Sequence, residues 1–261
     1  MIKTKTQLFN ISSKNSINGS FKSQVNIQLP DLTFHQDHVQ QIYLSVAHCE
    51  VPNSFYVVNY TNNSIVVNGI TYIIPVGNYN ANNMITAILA LLPAGFSIAY
   101  NSITNKYTWS CTSAFTINAS SPSSLINSVI GLGSSNVVST VISPFVATLP
   151  FVVNFIPLPR INFRSNYFKF NNYSLSDGTG DIFLPLQNNA GQQSMINYEN
   201  SVQNKFLVTD RNITNFTISV TNDSNQLINF NNVDWYMTLQ IDIEYLEAPR
   251  TTSFSQLAGK N

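Results

Sequence analysis

The chain has 261 residues, of which 44% are hydrophobic, 12% are aromatic and only 9% are charged, and its formal net charge is zero. This composition excludes an intrinsically disordered polymer, and the length is sufficient for one large β domain or two smaller ones. An ordinary globular domain has about 25% charged residues, so Asn and Ser here take the surface positions that Lys and Glu usually hold.

This uncharged, amide-rich composition has two explanations. A surface without net charge repels its neighbours weakly, so such a protein tolerates close packing against copies of itself, as an assembly subunit must. An A/T-rich genome would favour Asn, Ile, Tyr and Phe through its codons, without any selection on the protein. Composition leaves both explanations open.

The first residues predict a polar N-terminal arm over residues 1–20. This stretch contains three lysines, no acidic residue precedes Asp31, and the apolar segment of a secretory signal peptide is lacking. Residues 21–29 then alternate polar and apolar side chains, which predicts a half-buried strand that ends at the following Pro-Asp pair.

Residues 41–59 predict a strand, a bend and a second strand. Alternate residues from Ile42 to His48 fall on one face of the first strand, and those from Tyr43 to Cys49 fall on the other. Pro52 interrupts the run because it has no backbone N–H to give to a ladder. Residues 55–58 are of the preferred strand types and predict the second strand.

Residues 60–157 predict an inserted α+β domain with its own hairpins and helix. The Asn-Gly pair at 68–69 indicates a tight hairpin turn, and a second hairpin is predicted over residues 96–110. Apolar residues at helical spacing over 81–92 predict one short helix, which begins after an Asn cap and ends at a Pro-Ala-Gly sequence.

One uncharged stretch, residues 137–159, has about the length needed to span a bilayer. Pro144, Pro150 and Pro157 punctuate it, and it is rich in Val, Thr and Ser. These features favour short strands and turns over a spanning helix. Contact with an internal membrane is not decided by the sequence.

The strand pattern returns from Leu158 onward. Residues 235–245 alternate apolar and polar side chains and predict one long half-buried strand, and the tail from Pro249 is polar. About eight strands lie outside the insert, which fits an all-β fold, a single jelly-roll β-sandwich with an inserted small α+β domain, although an immunoglobulin-like sandwich also fits. The predicted domains are an N-terminal arm (1–20), a discontinuous jelly-roll base (21–59 and 158–261) and an insertion domain (60–157).

Few residues suggest metal or thiol chemistry. His35 and His38 lie beside Asp37, but no Cys or further His is near them in the sequence. Residues 177–181, Asp-Gly-Thr-Gly-Asp, resemble a cation loop only loosely, and a turn between strands is the favoured interpretation. His48 shares a predicted face with apolar residues, which indicates a core or edge histidine.

The two cysteines, Cys49 and Cys111, lie in apolar strand-like surroundings and do not form a disulfide framework. They predict buried thiols in a protein made in a reducing compartment.

Recognisable catalytic sequence motifs are lacking: the chain contains no nucleophile elbow, phosphate-binding loop, dinucleotide fingerprint or zinc-protease motif. Arg160 and Arg164 do not form the basic stripe that nucleic-acid binding requires. A paired-carboxylate glycosidase is left open, since its two acids are distant in sequence. We therefore predict a protein that is not an enzyme, has no catalytic, cofactor-binding or metal-binding residues, and has no specific nucleic-acid partner.

Seven segments form an ordered set along most of the chain: FKSQVNIQLPDL (21–32), YLSVAHCEVPNSFYVVNYTNNSIVV (43–67), IPVGNYNANNMITAILALLP (74–93), FSIAYNSITNKYTWS (96–110), SSPSSLINSVIGL (120–132), LPRINFRSNYF (158–168) and NNVDWYMTLQIDIEY (231–245). In this order they resemble the penton (minor capsid) protein of virophages and related polinton-like viruses. The family's members are single jelly rolls that form pentamers at icosahedral vertices, often with an outward insert.

The resemblance implies a structural virion protein, a pentameric vertex subunit that closes the fivefold positions of an icosahedral capsid. The implied partners are four further copies of the chain and the double-jelly-roll major capsid protein. The implied location is the capsid vertex of the virion, after synthesis in the host cytoplasm or a viral factory.

The alternative hypothesis is a lectin-like jelly-roll binding module whose insert recognises a host glycan or receptor. Aromatic residues of the insert such as Tyr60, Tyr79 and Trp109 would then serve as stacking platforms. The two roles are compatible, because vertices are where viruses often meet cells.

Overall fold

The computed structural model describes residues 2–33, 39–156, 158–165, 181–191, 193–202, 204–208 and 212–246. Over these residues the chain forms mainly antiparallel strands, with two short α-helices. In chain order the elements are β1 (Ile2–Ser12), β2 (Gln24–Thr33), β3 (Val39–Pro52), β4 (Ser64–Val67), β5 (Ile70–Ile73), α1 (Ala81–Leu89), β6 (Phe96–Asn101), β7 (Lys106–Cys111), β8 (Thr116–Ile117), α2 (Asn127–Ile130), β9 (Val137–Val138), β10 (Phe145–Thr148), β11 (Arg160–Ser165), β12 (Ile182–Gln187), β13 (Met195–Glu199), β14 (Phe206–Val208), β15 (Asn212–Thr221) and β16 (Tyr236–Leu246).

The chain divides into two compact units. One unit, the base, contains Met1–Ser54 and Arg160–Asn261, and the other, the insert, contains Phe55–Pro159. The predicted boundaries lie after residues 59 and 157, whereas this unit begins five residues earlier and includes the apolar run at 55–58.

Two antiparallel sheets, each four strands wide, form the base. Sheet I has the order β1-β16-β3-β13, with β14 also pairing with β3, and sheet II has the order β12-β11-β15-β2. With β13 and β14 counted as one strand, the base has eight strands in chain order. The first (β1) pairs with the eighth (β16), the second (β2) with the seventh (β15), the third (β3) with the sixth (β13 and β14) and the fourth (β11) with the fifth (β12). This nested antiparallel pairing is that of a jelly roll. The jelly-roll prediction is therefore confirmed, and the immunoglobulin-like alternative is wrong.

The core of the base lies on the inner faces of these sheets. Trp235, directly before β16, is fully buried, and its indole N–H donates to the carbonyl of Lys22 at 2.7 Å. The ring meets Phe163 edge to face, with centroids 5.2 Å apart. Alternate residues of β16, from Met237 to Ile243, continue this core, as the sequence pattern predicted.

The predicted N-terminal arm is wrong for residues 2–12. These residues form β1, which pairs with β16 along its whole length, from Ile2 opposite Leu246 to Ser12 opposite Tyr236. The strand lies at an edge of sheet I, and most of its side chains are exposed on both faces. It therefore lacks the alternation of apolar and polar residues by which a half-buried strand is recognised in sequence.

The predicted second strand at residues 55–58 is also wrong. Val57 and Val58 are buried in the core of the insert, and the Val57 N–H donates to the side-chain oxygen of Asn78 at 3.1 Å. Val58 forms only an isolated bridge with Gly77. The run is apolar because it is buried, and burial does not by itself require a sheet.

A β-bulge in β3 changes which residues face the core. Thr238 pairs with His48 but the next residue, Leu239, pairs with Val46, so Ala47 is the extra residue. A bulge of this kind inverts the alternation of the strand beyond it. The buried apolar residues are accordingly Ile42, Leu44 and Val46 before the bulge and Cys49 and Val51 after it.

The insert contains two small sheets, β5-β4-β8-β9 and β10-β7-β6, and both helices. The predicted hairpin turn joins β4 to β5, with positive φ at both Asn68 and Gly69, as a tight two-residue turn requires. The predicted helix is α1. The Asn80 side chain caps it by accepting hydrogen bonds from the backbone N–H groups of Asn82 and Asn83, which have no partner within the helix. Both predictions are confirmed.

The described residues of the uncharged stretch at 137–159 form β9, β10 and irregular segments. Nowhere in the described ranges is there a helix with the length and apolar character needed to cross a membrane.

Gly131 should be the most sensitive glycine of the insert. Its φ is +77°, and an added Cβ would lie 2.3 Å from the carbonyl oxygen of Phe151. Gly69 has a similar φ of +78° but open space around it. We expect Gly69→Ala to cost about 1 kcal/mol from backbone strain alone, and Gly131→Ala to cost at least about 2 kcal/mol because the backbone at Phe151 must also move. Urea unfolding of the two variants measures the difference, and equal costs would contradict this account of Gly131.

Candidate functional site

Most of the residues considered for metal binding lie outside the part of the chain that the structure describes. His35, Asp37 and His38 lie outside the described residues, as does the 177–180 part of the proposed cation loop. The last residue of that loop, Asp181, accepts a hydrogen bond from the buried Arg164 guanidinium at 2.7 Å. Within the described part of the chain, no three His, Cys, Asp or Glu side chains are grouped so that they could hold a metal ion.

Both cysteines are free thiols and both are buried, as predicted. Cys49 lies in the base and Cys111 in the insert. Burial raises the pKa of the Cys49 thiol, and the nearby Glu50 carboxylate raises it further. Cys49 therefore stays protonated at neutral pH, which makes it a poor nucleophile.

The sequence indicated a core or edge histidine at position 48, and of these two alternatives the core one is wrong. The bulge at Ala47 turns His48 to the outer face of sheet I, where 38% of its side chain is exposed. Its Nε2 lies 3.1 Å from the Glu50 carboxylate, which shares this face. The register pairs His48 with Glu199 on β13 as well. Two carboxylates and an imidazole therefore lie near this edge of sheet I.

A polar groove of about 360 Å³ lies on the outer face of sheet I. Hydroxyl and amide groups and one ion pair line it, and sequence analysis did not identify it because its residues are spread over β1, β3, β16 and the segment before β14. The lining residues are Thr4, Thr6, Ser45, Ala47, Asn200, Lys205, Gln240 and Asp242.

Asp242 is the centre of the groove's hydrogen-bond network, and only 3% of its side chain is exposed. The Lys205 ammonium lies 2.5 Å from Oδ2, and the Thr6 hydroxyl donates to Oδ1 at 2.6 Å. The Gln240 amide donates to both oxygens at 3.0 Å. The carboxylate thus connects β1, β16 and the residue before β14 across the sheet.

Burial acts to raise the pKa of Asp242, but the hydrogen bonds from Lys205, Thr6 and Gln240 and the charge of Lys205 outweigh it, so the net pKa is lowered. A carboxylate with a lowered pKa is a weak base at neutral pH. The arrangement therefore suits hydrogen bonding and strand attachment better than proton transfer.

The surface of the insert is nearly without charge. Lys106 is the one charged residue between positions 55 and 159, and its ammonium donates to the carbonyl of Pro150 at 2.6 Å. Val141 and Ile142, in the loop before β10, are 89% and 75% exposed. Contacts through such a surface depend on shape, apolar area and neutral hydrogen bonds.

The three aromatic residues proposed as stacking platforms lie in different surroundings. Tyr60 is 81% exposed, whereas Trp109 is fully buried in the insert core, so the proposal for Trp109 is wrong. Tyr79 packs partly against that core, and its hydroxyl donates to the carbonyl of Pro75 at 2.7 Å. An aromatic side chain in a β-rich sequence is more often buried than exposed, and sequence alone does not separate the two cases.

Comparison with known proteins gives a match in structure only. No protein-family model matches the chain, and no curated protein sequence matches it. Among solved structures, the crystal structure of selenomethionine-labelled mavirus penton protein superposes with a TM-score of 0.50 at 12% sequence identity, covering 92% of this chain and 99% of that one. The chain is therefore similar in fold to a virophage penton protein, the family that its ordered sequence segments resemble.

Proposed function

We propose that the protein is a structural capsid protein, the vertex subunit that closes the fivefold positions of an icosahedral capsid and contacts the major capsid capsomers. The observation that supports this most strongly is the likeness in fold to mavirus penton protein, which extends over nearly the full length of both chains. The role requires no catalytic chemistry, and the protein acts by geometry.

The proposed mechanism is assembly of five copies in a closed head-to-tail ring. Such rings use two different surfaces of each subunit, and rotation by a fixed angle closes them. The low charge of the chain supports this, because weakly charged surfaces repel each other little on close approach. The rim of the ring would contact the double-jelly-roll major capsid protein, and the virion would be the site of action.

Native mass spectrometry of the purified full chain tests the ring directly. The expected result is a species of five chains at micromolar concentration, and cryo-electron microscopy of particles is expected to place its density at the fivefold vertices. Monomers alone at high concentration, together with vertices filled by a different protein, would contradict the proposal.

A second candidate function is recognition of a host glycan or receptor by the insert. The observation that favours it is the nearly charge-free surface of the insert, with Tyr60, Val141 and Ile142 strongly exposed. A glycan array probed with the full chain tests it. Binding is expected to fall at least tenfold in Tyr60→Ala but to persist in Tyr236→Ala, which removes a half-exposed tyrosine of the base. Equal binding by both variants would contradict a role for Tyr60.

A further inference from the structure

The chain contains two Asn-Gly pairs, Asn18-Gly19 and Asn68-Gly69. Asparagine is a chemically labile residue, and a following glycine has no Cβ to hinder attack by its backbone nitrogen on the asparagine side chain. The second pair forms the turn between β4 and β5, and both of its residues are exposed. The turn is therefore accessible to the water and base that this reaction needs.

The reaction at the second pair converts an amide to an acid in two steps. A base removes the proton of the Gly69 N–H, and the nitrogen attacks Cγ of Asn68. The new N–Cγ bond closes an imide ring, the Cγ–Nδ2 bond breaks, and the side-chain amino group takes up a proton and leaves as ammonia. Water then opens the ring at either carbonyl, which gives aspartate or isoaspartate at this position.

Both reacting groups of this pair are held by hydrogen bonds to residues outside the turn. The Gly69 N–H donates to Oδ1 of Asn118 at 2.9 Å. The Oδ1 of Asn68 accepts a hydrogen bond from the backbone N–H of Thr116 at 2.8 Å. Thr116 lies in β8 and Asn118 directly follows that strand, so one neighbouring segment holds the attacking nitrogen and the carboxamide that it would attack.

Backbone hydrogen bonds complete the same arrangement. The Asn68 N–H donates to the carbonyl of Thr116, and the Asn118 N–H donates to the carbonyl of Val66, each at 2.8 Å. β4 and β8 are also neighbours in one sheet. The Gly69 N–H is therefore released from Asn118 only when the turn and the end of β8 move apart.

Removal of the Gly69 proton thus depends on a local opening of the turn. A hydrogen-bonded amide loses its proton to base only after it has separated from its acceptor. When opening and closing are fast compared with the chemical step, the rate of that step follows the population of the open form. The hydrogen bond to Asn118 lowers that population, so it should slow the reaction at Asn68.

We propose that Asn68 is a deamidation site of the insert and that Asn118 sets its rate by accepting the hydrogen bond of the Gly69 N–H. Conversion adds a negative charge to a unit in which Lys106 is the one charged residue. Isoaspartate also lengthens the backbone within the turn and displaces the oxygen that binds the Thr116 N–H. The bond from Gly69 to Asn118 therefore preserves both the hairpin and the nearly charge-free surface of the insert.

Peptide mapping by mass spectrometry, during incubation of the full chain in mildly alkaline buffer, tests the proposal. In the folded wild type we expect Asn68 to deamidate at least about tenfold more slowly than in the urea-unfolded chain, a factor that corresponds to about 1.4 kcal/mol. Asn118→Ala removes the acceptor and is expected to raise the rate about fivefold, the effect of losing one hydrogen bond. Asn118→Asp keeps an acceptor oxygen, so its rate should stay below about twice that of the wild type.

Two comparisons separate local opening from a general loss of stability. Asn18-Gly19 lies in the base, so its rate is expected to be equal in the wild type and in Asn118→Ala. Gly131→Ala strains the insert at its contact with Phe151. As long as circular dichroism shows this variant to be folded, its rate at Asn68 should equal that of the wild type. A rate at Asn68 that Asn118→Ala does not raise, or that folded Gly131→Ala raises equally, would overturn the proposal.

Hydrogen exchange of the wild type gives a second measurement that needs no substitution. An exposed amide without an acceptor exchanges as fast as one in an unstructured peptide, whereas the Gly69 amide is expected to be protected at least about tenfold. Because both processes need the same opening, this protection should agree within about threefold with the slowing of deamidation at Asn68. Unprotected exchange at Gly69, or two factors that disagree, would show that Asn118 does not control the reaction.

Discussion

Replacing Trp109 with alanine is expected to lower the stability of the insert by about 3 to 5 kcal/mol while the base stays folded. Trp109 is fully buried in the insert core, where its ring meets Phe96 edge to face with centroids 6.3 Å apart. Truncation would leave a large cavity in that core. The insert forms a compact unit with its own sheets and helices, so the loss should fall on it alone.

The two tryptophans make this result easy to measure. The chain contains only Trp109, in the insert, and Trp235, in the base. In Trp109→Ala the fluorescence reports the base only, and its urea midpoint is expected to match that of the wild type, whereas the circular dichroism should show an earlier transition for the insert. Trp235→Ala is the matched control, with the opposite pattern. One shared transition that shifts equally in both variants would contradict separate units.

Replacing Asp242 with alanine is expected to lower the stability of the base by about 2 to 3 kcal/mol. The carboxylate accepts hydrogen bonds from Thr6 and Gln240 and pairs with Lys205, so its removal takes away one of the side-chain hydrogen bonds that join β1 to β16. This expected loss of stability is smaller than the loss on breaking a fully buried ion pair, because the Lys205 side chain is about one third exposed and its ammonium can be solvated by water.

Hydrogen exchange of the β1 backbone, together with urea unfolding, checks this expectation. In Asp242→Ala, hydrogen exchange is expected to be faster than in the wild type, and the increase is expected to be larger in β1 than in β3. Glu244→Gln is the matched control, because Glu244 lies on the same strand and face but is only partly buried, and it should leave exchange unchanged. Equal effects of the two variants would show that the Asp242 network does not hold β1.

The same residue gives an expected pH dependence. The pKa of Asp242 is lowered in the folded protein, so its ionised form stabilises the fold above the unfolded-state pKa of about 3.9. In the window below that value the unfolded chain binds the proton first, and the stabilisation is lost as the pH falls through the folded-state pKa. Asp242→Asn should therefore lose less stability than the wild type as the pH falls below about 4. Identical acid profiles would contradict this assignment.

Local sequence signals predicted several elements correctly. A tight two-residue hairpin turn requires positive φ at both residues, and the Asn-Gly pair at 68–69 adopts it at little cost. Asn80 followed by apolar residues at helical spacing similarly specifies the start of α1. Residues 235–245 alternate because one face of β16 is buried and the other is not. In each case the cause lies within a few residues of its effect.

The strands β1 and β13 and the bulge in β3 were not predicted, because their causes lie elsewhere in the chain. β1 has too little burial to show an alternating pattern, and β13 has only five residues, so their pairing with β16 and β3 defines them as strands. The bulge at Ala47 follows from the register against β16, so sequence alone placed His48 on the wrong face. The polar groove around Asp242 collects residues more than 200 positions apart, as the bond to Thr6 shows.

The sequence by itself determined the all-β class and the low charge that favours packing against neighbours. These follow from composition and short-range periodicity, which folding does not alter. Only the tertiary structure decided that Trp109 is buried while Tyr60 is exposed, and that Thr6 of β1 lies beside Asp242 of β16. Strand order and register create these features, because they bring distant residues together, and neither is encoded within a single segment.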